Sequence, residues 1–167
     1  VDIVSTTDDE KLNVLLVSSD RDPGSYYLYD RETGAARFML APRQWIDPEQ
    51  MSRMEPISFT ARDGLEIPGY LTLPKDRKLD EAVPLIVNPH GGPFGVRDFW
   101  GYNAEHQFFA NRGYAVVQVN FRGSGGYGRK FQQAGYGQWG KDMQNDISDA
   151  VKSLIDEGIA DPELICI

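Results

Sequence analysis

The sequence predicts an α/β domain preceded by a short antiparallel β segment. From residue 84 onward, short apolar runs alternate with segments of helical periodicity, which is the succession that builds parallel sheets. Residues 1–41 instead hold strand-like runs separated by turn residues, with no helix between them. We therefore expect two structural regions in this chain of 167 residues.

The first region, residues 1–41, is predicted to form strands at 13–18, 25–29 and 37–40. Turn-forming residues at 20–24 and 30–34 separate them. Strands of this size without a helix cannot close a core, so they need neighbours. The hairpin around 27–34 is typical of the outer part of a propeller blade, and it equally fits an ordinary edge hairpin.

Residues 42–54 lose the alternation and carry two prolines, which indicates a linker with one helical turn. Alternation returns at 57–60 and 65–73, and Asp63-Gly64 between these strands is a strong hairpin signal. A second domain is therefore expected to span residues 55–167.

The second region continues with apolar strands at 84–88, 115–119 and 163–167. A helix is predicted at 102–111, with Phe108, Phe109 and Ala110 facing inward. A clearer helix follows residue 141. Its predicted inward face consists of Met143, Ile147, Val151, Leu154 and Ile155. Strands alternating with helices imply right-handed crossovers and a parallel sheet.

Composition excludes several classes of function. The net charge of −8 opposes nucleic acid and anionic membranes as partners. A single cysteine, Cys166, excludes an internal disulfide framework and a multi-cysteine zinc site, so a reducing, cytoplasmic compartment is expected. No apolar run approaches about 18 residues, and residues 1–5 lack the features of a signal peptide. No residue cluster has metal-ligand spacing, and no cofactor is expected.

The motif His90-Gly91-Gly92-Pro93 follows directly on the strand at 84–88, where open α/β sheets place their ligand sites. Adjacent glycines let backbone N–H groups face a substrate without obstruction, as an oxyanion hole requires. In α/β-hydrolases the corresponding loop supplies one oxyanion donor. The alternative is a tight turn with no role in chemistry.

A second glycine-rich segment, residues 120–128, follows the strand at 115–119. Its spacing G-x-G-x-x-G favours a dinucleotide site only weakly, because no long helix opens at once and no acid ends the next strand. Ser124 lacks the glycine two positions earlier that a nucleophile elbow requires. His106 is expected to be a half-exposed structural histidine. Arg122 could bind a carboxylate or form a structural ion pair.

With these motifs in place, the sequence resembles the prolyl oligopeptidase family, especially its acylaminoacyl peptidases and dipeptidyl or oligopeptidases. The resemblance spans nearly the whole chain. It rests on the segments 88–93, 120–128, 139–140 and 161–167. It implies terminal β-propeller strands in residues 1–41, followed by the N-terminal half of an α/β-hydrolase domain with a mixed, mostly parallel sheet and flanking helices. It also implies peptide substrates and a serine nucleophile.

The resemblance also implies roles for individual residues. Gly92 matches the loop residue whose backbone N–H helps form the oxyanion hole, and His90 and Gly91 shape that loop. Phe94 and Arg122 match positions near the mouth of the site. The catalytic serine, aspartate and histidine of the family would follow residue 167, so the chain alone is expected to be inactive.

Other interpretations stay open at this point. The same oxyanion loop would serve an esterase or another acyl hydrolase, and a non-catalytic scaffold segment is a third possibility. An apolar strand at the chain end and an opening blade without its ring both leave sheet edges uncovered, so both ends are expected to be cut. The sequence does not determine the oligomeric state.

Overall fold

A computed structural model of the chain describes residues 1–78 and 80–167. The described residues form two compact units, Val1–Met51 with Gly101–Ala104 and Ser52–Trp100 with Glu105–Ile167. The first unit is a four-stranded antiparallel sheet whose strands follow the order of the chain. Its strands are β1 (Asp2–Thr6), β2 (Leu12–Val17), β3 (Ser25–Asp30) and β4 (Ala36–Leu40).

The three strands predicted in residues 1–41 are present, and β1 is an additional strand that the sequence did not predict. Every residue of β1 is exposed, so no buried face imposes the alternation by which a strand is recognised. The turn at 30–34 forms as expected, because Asp30 Oδ1 accepts hydrogen bonds from the N–H groups of Glu32 and Thr33. Gly34 then adopts a positive φ of 71°.

This sheet has little apolar core. Within residues 1–51, the buried positions are Asn13, Asp20 and Gly24. Tyr27 and Phe38 form a cross-strand, edge-to-face pair with ring centroids 5.8 Å apart. The single helical turn expected between the two regions is the 3₁₀ helix Pro48–Gln50, which Asp47 caps through Glu49 N–H.

The second unit contains a five-stranded mixed sheet in the order β5-β6-β8-β7-β9. Its strands are β5 (Met54–Thr60), β6 (Glu66–Thr72), β7 (Val83–Val87), β8 (Ala115–Val119) and β9 (Ala160–Cys166). The pairs β5–β6 and β6–β8 are antiparallel, whereas β8–β7 and β7–β9 are parallel. The predicted mixed α/β fold is confirmed, and its parallel part comprises the three strands that alternate with helices.

Helices α1 (Ala104–Ala110), α2 (Arg129–Ala134) and α3 (Asp142–Asp156) complete this unit. The predicted inward face of α3 is confirmed, since its apolar residues contact a core built on β5 to β9. The most buried members of that core are Ile67, Leu85, Ala115, Val117, Val119 and Ala150. Within the described ranges, no helix has the length and apolar character needed to cross a bilayer.

The predicted inward face of α1 is partly wrong. Phe108 is 51% exposed, and the buried residues of this helix are His106, Gln107 and Ala110. The reason is hydrogen bonding: Gln107 accepts from Ser52 N–H at 2.8 Å and donates to Ser52 O at 2.9 Å. A buried amide whose donor and acceptor are both satisfied replaces the aromatic ring on the inner face.

Candidate active site

Two loops lie side by side at the carboxyl end of the parallel strands. One follows β7 and covers residues 88–100, and the other follows β8 and covers residues 120–128. They are joined by hydrogen bonds from Gly95 N–H to Gly123 O and from Gly125 N–H to Val96 O, each 3.0 Å long. Because β7 and β8 are adjacent and parallel, both loops emerge at the edge of the sheet where α/β folds bind ligands.

The loop after β7 displays free backbone donors. Gly91 and Gly92 are both exposed, and within residues 1–78 and 80–167 neither N–H group donates a hydrogen bond. Gly92 has a φ of 140°, and a Cβ atom there would lie 3.2 Å from the Val96 side chain. The Gly92 backbone therefore requires glycine, and it leaves an N–H group available to a ligand.

His90 connects this loop to the loop after β8. Its ring stacks on Phe121, with centroids 4.4 Å apart and planes inclined by 16°. His90 Nδ1 lies 2.8 Å from Gly91 O, and Nε2 lies 2.8 Å from Ser124 Oγ. The imidazole is thus bonded at both nitrogens and packed on one face.

A cleft of about 270 Å³ opens beside these residues. One wall is the 89–93 segment, and the other is mostly apolar and is formed by Phe121, by Trp139 and by residues in the first turns of α3. The residues of this second wall are Phe121, Trp139, Met143, Gln144 and Ile147. A cleft that places backbone donors opposite an apolar wall suits a neutral acyl group.

Ser124 is not a nucleophile in this geometry. It is 0% exposed, and its hydroxyl donates to Phe121 O at 2.6 Å. A serine–histidine pair exists, but His90 Nδ1 contacts a backbone carbonyl oxygen rather than a carboxylate. The burial of Ser124 thus supports the prediction, made from motif spacing, that this serine is not the nucleophile.

Arg122 lies at the centre of a buried ion-pair network. Its side chain is 6% exposed and binds two carboxylates through paired hydrogen bonds, Asp146 at 2.7–3.1 Å and Asp63 at 2.7–3.0 Å. Asp146 Oδ2 also accepts from the Arg122 N–H at 2.9 Å. The hydrogen bonds from Arg122 lower the pKa of Asp63, and the two carboxylates raise the pKa of Arg122. Of the two roles considered for Arg122, this geometry favours the structural ion pair.

The remaining candidates have different surroundings. Phe94 packs edge-to-face on Tyr136 at 5.3 Å and lies against Gly123. His106 was expected to be half-exposed, and this is wrong: it is 1% exposed, and burial lowers its pKa. Its Nε2 lies 2.8 Å from Asn88 Nδ2, so it holds the residue that begins the loop after β7.

Sequence reasoning missed the residues that join the two loops. Asn120 is fully buried and accepts from Asp98 N–H at 2.8 Å, while its Nδ2 donates to Tyr127 at 2.8 Å. Phe121 was not predicted as a site residue, although it lines the cleft and its ring stacks on His90. Their positions immediately after an apolar strand were the only available signal. In the described part of the chain, no group of three or more His, Cys, Asp or Glu residues could hold a metal ion.

Comparison with known proteins identifies relatives of this chain. Residues 100–167 match the model of the prolyl oligopeptidase family. Dipeptidyl aminopeptidase BIII of Pseudoxanthomonas mexicana is 36% identical over 173 residues, covering 100% of this chain and 25% of the relative.

Solved structures show the same fold. The Pyrococcus horikoshii acylaminoacyl peptidase matches with a TM-score of 0.75 and 30% identity, over 98% of this chain and 26% of that one. A Mycobacterium tuberculosis puromycin-hydrolyzing peptidase matches with a TM-score of 0.78 and 28% identity, over 93% and 24%. The chain spans about a quarter of the length of the relatives it matches. These matches confirm the resemblance drawn from the motifs: the chain belongs to the prolyl oligopeptidase family of peptidases.

Proposed function

We propose that the protein is a serine peptidase that hydrolyses peptide bonds through an acyl-enzyme, and that the loop His90–Gly92 supplies part of its oxyanion hole. One observation carries the proposal. The N–H group of Gly92 has no hydrogen-bond partner among the described residues, and Gly92 is exposed in the wall of a cleft, at the carboxyl end of a parallel strand of a peptidase-family fold.

The chemistry explains why such a donor matters. When a serine oxygen adds to a peptide carbonyl carbon, the carbonyl oxygen gains negative charge. A fixed N–H donor stabilises this oxyanion more than it stabilises the neutral carbonyl. The tetrahedral species then expels the amine, which takes a proton, and water hydrolyses the resulting ester. Gly92 would serve both steps, because an oxyanion forms in each.

The other site residues support this role in different ways. His90 and Gly91 set the conformation of the loop, and Phe94 of the same loop is proposed to contact substrate at the mouth of the cleft because its side chain is partly exposed. Arg122 is proposed to act at a distance, since its guanidinium is fully engaged and holds its own loop against Asp146 of α3 and Asp63 of the β5–β6 turn.

We assign none of the described residues as nucleophile, general base or acid. In the family, the strand corresponding to β9 leads into the nucleophile elbow. The proposal therefore expects the pattern G-x-S-x-G within about ten residues after Ile167 in the coding sequence.

The decisive experiment is labelling of the full-length protein with a fluorophosphonate probe, combined with peptide and aryl-ester turnover. We expect labelling at the serine of the elbow, none at Ser124, and hydrolysis of peptide amides. Replacing the elbow serine by alanine should abolish both signals. Labelling of Ser124, or ester turnover without any peptide turnover, would contradict the proposal.

A further inference from the structure

Ser124 forms the buried end of a row of contacts that reaches the cleft. Its hydroxyl is anchored on Phe121 O at 2.6 Å and lies 2.8 Å from His90 Nε2. On the other side of the ring, Nδ1 lies 2.8 Å from Gly91 O. Because a carbonyl oxygen can only accept, Nδ1 is the donor in that contact, and the single proton of the Ser124 hydroxyl is shared between its two acceptors, Phe121 O and His90 Nε2.

The Gly91 carbonyl and the Gly92 N–H belong to one peptide unit. This unit is planar and trans, so its C=O and N–H groups point in opposite directions. A hydrogen bond that fixes Gly91 O toward His90 therefore fixes the direction of Gly92 N–H as well. That direction is away from the imidazole, and Gly91 and Gly92 line the cleft.

The stack on Phe121 cannot fix this geometry alone. Stacking on Phe121 with planes inclined by 16° sets the plane of the imidazole but permits a half-turn rotation about the Cβ–Cγ bond, which would exchange each ring nitrogen with a ring carbon. The contact between Nε2 and Ser124 Oγ lies at the ring edge and prevents this rotation. Because Ser124 is fully buried and bonded to the backbone, its hydroxyl is a rigid anchor.

We infer that Ser124 is a positioning residue which, through His90, holds the Gly91–Gly92 peptide so that Gly92 N–H faces the substrate carbonyl. This inference rests on the proposed function, because it requires Gly92 to be an oxyanion donor. It assigns the glycine-flanked serine a role in the reaction without making it a nucleophile.

The test measures kcat and KM for a peptide amide with the full-length protein and its Ser124→Ala variant. A misdirected oxyanion donor lowers the stabilisation of the transition state more than it lowers the affinity for the substrate. We expect kcat to fall about tenfold while KM stays within about twofold, a smaller loss than deleting a donor outright. Ser148→Ala, which removes an exposed hydroxyl from α3, should leave both constants unchanged.

A double-mutant comparison separates positioning from general stability. His90→Phe keeps a ring to stack on Phe121 but removes both ring nitrogens, so it should lower kcat about as much as Ser124→Ala. Adding Ser124→Ala to His90→Phe should then cost nothing further. A full additional loss of kcat in the double variant would overturn the inference.

The outcomes also separate this inference from the proposed function. A folded wild-type protein that neither hydrolyses peptides nor reacts with the probe contradicts the proposed function. An active wild type with an equally active Ser124→Ala variant overturns only the inference. If Ser124→Ala does not fold, His90→Phe alone decides, and an unchanged kcat in that variant overturns the inference.

Discussion

The two glycine-rich loops at the edge of the parallel strands use glycine for opposite purposes. In the loop after β7, Gly91 and Gly92 are exposed, and their N–H groups face no partner among the described residues. In the loop after β8, a Cβ atom on Gly125 would lie 2.4 Å from Gly95 O. The first loop displays backbone donors, and the second permits close packing of backbone on backbone.

The polar side chains of the two loops differ in the same way. Arg122, Ser124 and Asn120 of the second loop are buried and fully hydrogen-bonded. Ser124 and Asn120 hold the first loop from behind, through His90 and Asp98, whereas Arg122 joins its own loop to α3 and to the β5–β6 turn. A glycine-rich motif at a strand end is therefore not by itself a ligand site, since one of these two loops supports the other. Apart from Ser124, which we infer acts on kcat through His90, substitutions in the supporting loop should lower stability, and substitution of the displayed donor Gly92 should lower kcat.

The largest expected effect comes from Arg122→Met. This change leaves Asp146, which is fully buried, without its charged partner. Removing one member of a buried ion pair costs about 3–5 kcal/mol of unfolding free energy. Urea denaturation would measure it, with Arg129→Met as an exposed control that should stay within about 0.5 kcal/mol. Equal stability of the two variants would break the contrast between the loops.

Gly92→Ala tests the displayed loop. Alanine at a φ of 140° would be strained and would push against Val96, so the N–H group should leave its position. We expect kcat for a peptide amide to fall about 100-fold, or about 2.7 kcal/mol, with little change in KM. Gly34→Ala offers a control at another positive φ, far from the cleft in sequence, and should keep full activity. A loss confined to KM would contradict the oxyanion role.

Gly125→Ala and Gly91→Ala compare the stability of the two loops with the same glycine-to-alanine substitution. The added methyl would meet a backbone oxygen that cannot move easily, so we expect a loss of about 2–3 kcal/mol in unfolding free energy. Gly91→Ala places its methyl in open space and should change stability by less than about 0.5 kcal/mol. Thermal and urea denaturation of both variants would test this, and a reversed order of stability would refute it.

From residue 84 onward, the sequence was sufficient to predict β7, α1, β8, α3 and β9, whereas the short helix α2 was not predicted. The apolar run of β8 is buried on both faces, and that of β7 is buried on one face and half-buried on the other, as expected for inner strands of a parallel sheet. Once they are placed in a parallel sheet, the position of His90–Gly92 at the ligand edge follows from topology alone. These parts of the site depend on local pattern, which one sequence can provide.

The residues that support the site could not be predicted in this way. Gln107 can be buried because it hydrogen-bonds to Ser52, which lies 55 residues earlier in the sequence. Arg122 can be buried because it binds Asp63 and Asp146, which lie 59 and 24 residues away in the sequence. Burial of a polar side chain is favourable only when its partners are in place. Such partners are brought together by the tertiary fold, and no periodicity in the sequence records them.

The smallest expected effect concerns Asp63, whose carboxylate joins the β5–β6 turn to Arg122. Its pKa is lowered in the folded state by that contact, so its contribution to stability is complete above the unfolded pKa of about 4 and is lost as pH falls through the folded value. Asp63 is 45% exposed, so the contribution at neutral pH should be below about 1 kcal/mol.

Asp63→Asn should therefore lower stability slightly at pH 7 and flatten its decline on acidification below about pH 4. Urea denaturation at about pH 7, 5 and 3 would show the unfolding free energies of wild type and Asp63→Asn converging at the acid end. Asp76→Asn, an exposed residue of the segment after β6, should run parallel to wild type. If the Asp63→Asn and wild-type curves also stay parallel, the turn is held by packing and by the Arg62–Asp149 pair, and the supporting loop does not depend on Asp63.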